Sequence, residues 1–130
     1  MFLVDSSVWI DHFRGRSTTQ SDWLLNRIDE VDRFYTGDLI LAEVLQGCDK
    51  DREFELVYRQ LTSYPVLTVS DREIAIEAAR NYCRLRALGI TPRKTIDTLI
   101  ATRCIVDGIQ LLYSGRDFDP FVAHLGLAVP

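Results

Sequence analysis

The chain has 130 residues, 47% hydrophobic and 26% charged, which are the proportions of an ordinary globular domain and exclude a disordered, fibrous or membrane chain. A chain of this size buries roughly two thirds of its unfolded surface, enough for one hydrophobic core. The formal net charge of -4 argues against a nucleic-acid partner, since such binding rests on basic surface, unless several acids share one cleft where bound cations neutralise them.

The predicted elements alternate in chain order. Phe2 to Val4 reads as a short buried strand that stops on Asp5, a costly place for a carboxylate without a partner. Ser6 or Ser7 caps a first helix with Trp9 and Phe13 on one face, ending near Gly15. A second helix runs from about Ser21 to Asp29, and Phe34 to Thr36 is the next strand. "GDLILAEVLQG" predicts a helix from Asp38 to Gln46 with Gly47 as its stop. A helix from Asp51 to Thr62, a strand from Val66 to Val69 and a helix from Asp71 to Leu88 follow, the last opened by Ser70 and Glu73 as a capping box. The last long helix spans Thr95 to Val106, and Gln110 to Tyr113 is the final strand.

Strands alternating with helices predict an α/β fold, a mainly parallel central sheet with helices on both faces, in a single domain over residues 1–130. No stretch approaches the roughly 18 apolar residues a membrane helix needs, and no basic region precedes the first apolar run, so the expectation is a cytoplasmic protein without a membrane partner. Cys48, Cys83 and Cys104 are an odd, widely spaced set without a CxxC, read as reduced core thiols.

In parallel sheets ligands gather beyond the carboxyl ends of the strands. Asp5 stands there, and "SGRD" brings Asp117 to the same edge. Glu43, preceded by Leu39 and Ile40, and Asp97, followed by Ile100, Ala101 and Cys104, are acids on helix faces that otherwise look inward. Each alone is explained by a cap, a first helical turn or a turn. Crowded together, the four would repel and protonate unless hard divalent cations share them, and oxygen-only ligands select Mg²⁺ or Mn²⁺.

"FLVDSSVWID", "LILAEVLQG", "TIDTLIATRCIVDG", "LLYSGRDFD" and the closing "FDPFVAHLGLAVP" occur in the order seen in PIN-domain ribonucleases. The chain resembles the VapC toxins of bacterial toxin–antitoxin pairs along nearly its whole length. That resemblance implies a PIN-like fold and an active site in which Asp5, Glu43 and Asp97 are the core acids, Asp117 a fourth, and Ser7 a hydroxyl that positions water. It implies Mg²⁺ or Mn²⁺, held mainly by Asp5 and Asp97. Hydrolysis of RNA to 5′-phosphate and 3′-hydroxyl ends, a small antitoxin and a homodimer are implied likewise. In one place the chain departs from the pattern: where many relatives carry a further aspartate, it has Gly115. The alternative is therefore a PIN-fold RNA-binding module with impaired catalysis.

Arg14, Arg93 and Arg116, with Arg16, Lys94 and Arg103, are the basic residues nearest the motifs and the candidate phosphate contacts, Arg116 foremost. Trp23, Leu24, Ile28, Leu39 and Leu45 supply apolar residues for an antitoxin groove or for ordinary core. A phosphoaspartyl enzyme fits poorly, because position 7 is Ser where that chemistry wants a second aspartate. A metal-free ribonuclease would need His12 and His124, which nothing in the sequence orients. Attack at phosphorus does not require a 2′-hydroxyl, so DNA stays open as a substrate.

Overall fold

The structure, a computed structural model, describes residues 1–130. Its elements are β1 (Phe2–Val4), α1 (Ser6–Phe13), α2 (Thr19–Leu25), a 3-10 turn at Val31–Arg33, β2 (Phe34–Gly37), α3 (Asp38–Leu45) and α4 (Asp51–Leu61). β3 (Val66–Leu67), α5 (Arg72–Ala87), α6 (Thr95–Asp107), β4 (Gln110–Leu112) and α7 (Asp119–Leu125) complete the chain.

The four strands form one parallel sheet in the order β3-β2-β1-β4, with Phe2 beside Phe34 and Gln110, and Thr36 beside Val66. Each connection is a helical crossover, as parallel pairing requires. Phe2, Leu3 and Val4 are all buried although successive strand side chains face opposite ways, so both faces of β1 are covered. α1 packs on α2 and α3, and α3 on α4, while α5 packs on α6 and α7.

A cluster of 23 buried residues forms the core, with Trp9, Phe34 and Phe121 among its largest side chains. The Trp23 ring stands edge-on to Phe2 at 5.1 Å and to Phe34 at 6.1 Å. Leu24 is buried in the cluster, and Ile28, Leu39 and Leu45 pack against it half-buried, so these apolar residues chiefly extend the core.

The alternation of elements stands, and several local details change. Neither Ser6 nor Ser7 caps α1: Asp5 does, accepting from the Ser7 amide. Asp71, and not Ser70, caps α5, because its carboxylate accepts from the Ile74 amide at 2.9 Å and a charged acceptor makes the stronger bond. α2 begins before Ser21, because Thr18 and Ser21 form a reciprocal capping box. β3 ends at Leu67, for the Val69 amide donates to Asp38 Oδ1 at 2.9 Å and not to a strand. α7 lies within the closing segment, where no helix was expected. All three cysteines are free, but only Cys104 is a core thiol, Cys48 being half-buried and Cys83 exposed on α5.

The chain runs outward from β1 to β2 and β3, then returns to β4 on the other side of β1. Strand order reverses there, and the crevice at that reversal is the expected ligand position of an open parallel sheet. Gly37 sets the approach of α3 to this edge. A Cβ at that position would lie 2.8 Å from Val69 Cγ2 and 3.3 Å from Ile40 Cδ1, so a side chain there would have to displace the segment after β3 that packs beside the start of α3.

Candidate active site

The carboxyl ends of β1 and β4 are tied by the Asp5 amide, which donates to the Leu112 carbonyl at 2.9 Å. Beyond that bond lies a cavity of about 320 Å³ lined by Asp5, Glu43, Asp97 and Asp117, with Ser7, Ser114 and Lys94 also on its wall. The sheet thus brings together all four acids singled out in the sequence, from the end of β1, the middle of α3, the first turn of α6 and the loop after β4.

Asp5 is 5% exposed. The Ser7 amide and hydroxyl both donate to its Oδ2, at 3.0 and 2.6 Å, while its buried Oδ1 has no hydrogen-bond partner. Burial pushes its pKa up, opposed by the two Ser7 bonds and by the Lys94 charge. Ser7 Oγ also accepts from the Ser114 amide at 3.1 Å. Its single proton is committed to Asp5, so in this geometry Ser7 holds the carboxylate and locks the loop after β4 to the start of α1.

Asp97 is 7% exposed, and burial, followed by the charge of Asp5, pushes its pKa up to about 6. Asp117 and Glu43 raise it further and Lys94 opposes them. Glu43 is half-buried and shifted upward by burial and then by Asp5, while the Ser6 hydroxyl donates to its Oε1 at 3.2 Å. Asp117 is exposed at the rim. Unlike charges are scarce: Lys94 is the only basic residue on the cavity wall.

The other sequence candidates separate. Arg14 is the C-terminal cap of α1, at the opposite end of that helix of 8 residues from its N-cap, Asp5. Arg16 pairs with Asp11 at 3.7 Å. The Arg103 guanidinium is held by Asp71 at 2.8 Å, Asp107 at 3.1 Å and the Val69 carbonyl, which makes it a strut between α5 and α6. Arg93 and Arg116 line a second cavity next to the acidic one. Neither His12 nor His124 reaches the acidic cavity; His12 packs on the Trp9 and Phe13 rings. Gly115 is outside that cavity's wall as well. Sequence reasoning gave Ser6 a role only as a candidate cap and gave Ser114 none, although "DSS" and "SGRD" contained both; the Ser6 contact with Glu43 arises when α1 packs on α3, and the Ser114 contact with Ser7 when β1 and β4 pair.

The model of the PIN domain family matches residues 2–121. The chain belongs to the PIN-domain family. Among similar proteins, ribonuclease VapC11 of Mycobacterium tuberculosis is 29% identical over 120 residues, 92% of this chain and 90% of that protein. Among solved structures, VapBC2 of Rickettsia felis bound to a DNA fragment from its promoter superposes with a TM-score of 0.75 at 14% identity, over 99% of this chain and 96% of that one. VapC20 of Mycobacterium tuberculosis, a toxin that cleaves the sarcin-ricin loop, gives 0.65 at 16% identity over 95% of each. At such identities the superpositions carry the fold.

The possible ligand atoms of this PIN domain's acidic cavity are carboxylate, hydroxyl and Gln46 amide oxygens, without sulfur or imidazole, the chemistry of a hard cation. Asp5 Oδ1, buried and unpartnered, is an oxygen that such an ion would satisfy. As the side chains stand, no three acidic groups converge on one point. That spacing accords with an ion held by one or two carboxylates and otherwise by water, the usual habit of Mg²⁺.

Proposed function

We propose that this PIN domain is an endoribonuclease toxin that depends on Mg²⁺ or Mn²⁺ and is neutralised by a small cognate antitoxin. The observation that carries the reading is the buried Asp5 carboxylate, one oxygen unpartnered, in a cavity with three other acids. Relatives named as VapC ribonucleases support the substrate class, and the VapBC complexes among similar folds support the antitoxin. A cytoplasmic site of action and a homodimer belong to the same proposal, and no helix is long and apolar enough to cross a membrane.

Asp5 and Asp97 would hold the cation, which supplies Lewis-acid activation of water and offsets the charge gathering on the phosphoryl oxygens. Ser7 orients Asp5 through its two bonds, and Ser6 orients Glu43. Glu43 or Asp117 accepts the proton of the attacking water. Water adds to phosphorus as the bond from phosphorus to the 3′ oxygen breaks, leaving a 5′-phosphate and, once that oxygen is protonated, a 3′-hydroxyl. Lys94, the basic group on the cavity wall, is placed to meet a phosphate oxygen of the scissile bond.

The alternative of an RNA-binding module with impaired catalysis rests on Gly115. Gly115 lines the cleft that adjoins the acidic cavity, and Asp117, two residues on, supplies that loop's carboxylate to the acidic wall.

The test is cleavage of total cellular RNA, with end-group analysis, by the wild type and by Asp97→Asn, each with Mg²⁺, Mn²⁺ or chelator. Metal-dependent cutting that leaves 5′-phosphate ends and vanishes in Asp97→Asn is expected. Cutting that survives both chelator and the substitution would overturn the carboxylate mechanism.

A further inference from the structure

Beside the acidic cavity is a cleft of about 500 Å³ whose wall carries Arg93, Gly115, Arg116 and Asp117. Asp117 also lines the acidic cavity, so the two share a wall. Arg93 comes from the loop that leads into α6 and immediately precedes Lys94, the basic residue of the acidic cavity. Arg116 comes from the loop after β4 and immediately precedes Asp117. Arg93 and Arg116 have no acidic partner, which they share with Arg14, Arg27, Arg52, Arg59 and Arg86; what sets the two apart is that both line one cleft beside the acids. Two arginines without an acidic partner, from different loops, thus line one cleft, against the single carboxylate of Asp117.

We infer that Arg93 and Arg116 form the seat for one backbone phosphate of the substrate strand, adjacent to the phosphate presented to the acidic cavity. The inference rests on the nuclease reading above and adds to it a second phosphate and a fixed path across the shared wall. Guanidiniums suit the task because their planar forks match phosphate oxygens. Pro92 and Pro120, also on the cleft wall, limit backbone freedom on both sides. The acids repel a phosphate while no cation is bound, so in chelator the strand is held by this cleft and not by the acidic cavity.

Gly115 acquires a meaning here. It lines the cleft, so an aspartate at that position would set a negative charge beside the seat, and glycine keeps the seat free of it.

The experiment is fluorescence anisotropy of a short labelled single-stranded RNA, in chelator, across a salt series. The proteins are the wild type, Arg93→Ala/Arg116→Ala, and an Arg52→Ala/Arg59→Ala control on α4, each checked for folding by circular dichroism. The double variant should bind more weakly, with a log–log salt slope shallower by about 0.7, the change expected when one phosphate is no longer neutralised. The control should keep the wild-type slope. Gly115→Asp should bind more weakly than Gly115→Asn, which tolerates the same left-handed backbone without the charge. An unchanged slope in the double variant, equal binding by Gly115→Asp and Gly115→Asn, or no RNA binding by the wild type overturns the seat. Cleavage with metal is read separately: cutting together with an unchanged slope removes the seat alone, and a changed slope without cutting removes the nuclease reading alone.

Discussion

The Ser7 hydroxyl donates to Asp5 Oδ2 at 2.6 Å while its oxygen accepts from the Ser114 amide at 3.1 Å, so one short side chain fixes both the first acid and the loop that carries Asp117. Supports of this kind matter to a metal site because they set the direction of the ligand's free oxygen. Ser7→Ala should lower RNA cleavage about tenfold to a hundredfold while the protein stays folded. Wild-type turnover in Ser7→Ala would show that the Asp5 orientation is held by other means.

Asp97 makes stability depend on pH with an unusual sign for an acid. Its ordinary pKa is 3.8 and its folded value is about 6, so between the two the folded protein keeps a proton that the unfolded chain has released. Folded stability is then greatest below that window and falls as pH rises through it, and Asp5 and Glu43, also shifted upward, add in the same direction. In metal-free protein the thermal midpoint of Asp97→Asn, relative to wild type, should therefore rise with pH across the window. A difference between the two proteins that does not change with pH refutes the shift.

Neutralising that repulsion should stabilise the fold. Mg²⁺ or Mn²⁺ at a hundred times its Kd adds about 2.7 kcal/mol to a folded state that alone binds it. Scanning calorimetry should show a rise in Tm with added metal, and Asp5→Asn should remove most of it. A metal response undiminished in Asp5→Asn would place the ion elsewhere.

Gly115 has φ of +84°, a left-handed conformation that a side chain adopts at a cost of about 1 kcal/mol, somewhat less for Asp or Asn. Gly115→Asp should therefore lower Tm slightly and bring no gain in cleavage, since Asp117 already supplies that loop's carboxylate to the acidic wall. Faster cleavage by Gly115→Asp, measured at saturating Mg²⁺, would restore the reading of a lost ligand.

Asp38 holds the acidic edge from behind. Its Oδ1 accepts from the Leu39 amide at 2.9 Å and from the Val69 amide at 2.9 Å, joining the start of α3 to the end of the β3 segment. Asp38→Ala leaves the half-buried Val69 amide bond unmade and should cost about 1–3 kcal/mol in urea unfolding. A loss well below that range would mean that water replaces the carboxylate.

Short-range chemistry is what the amino-acid order determined by itself. Strand and helix alternation and the inward placement of Glu43 and Asp97 follow from side-chain periodicity, which acts over one or two turns, and the alternation in turn implies a parallel sheet, because a helix between two strands makes the crossover that parallel pairing needs. Asp5 at a strand end and Asp117 after the last strand follow in the same way. The caps were less legible, because "DSS" and "SD" each offer several acceptors for one amide, and which of them wins depends on where the preceding strand or loop delivers the chain. Only tertiary structure decided the rest. Ser7 meets Ser114 across 107 positions of sequence, Arg103 is spent as a strut on Asp71 and Asp107, and Arg93 joins Arg116 in a cleft beside the acids. The physical reason is that a side chain's partner depends on which strands pair. β4 returns to the far side of β1, and until that crossover is made no local rule distinguishes a free guanidinium from a bridged one.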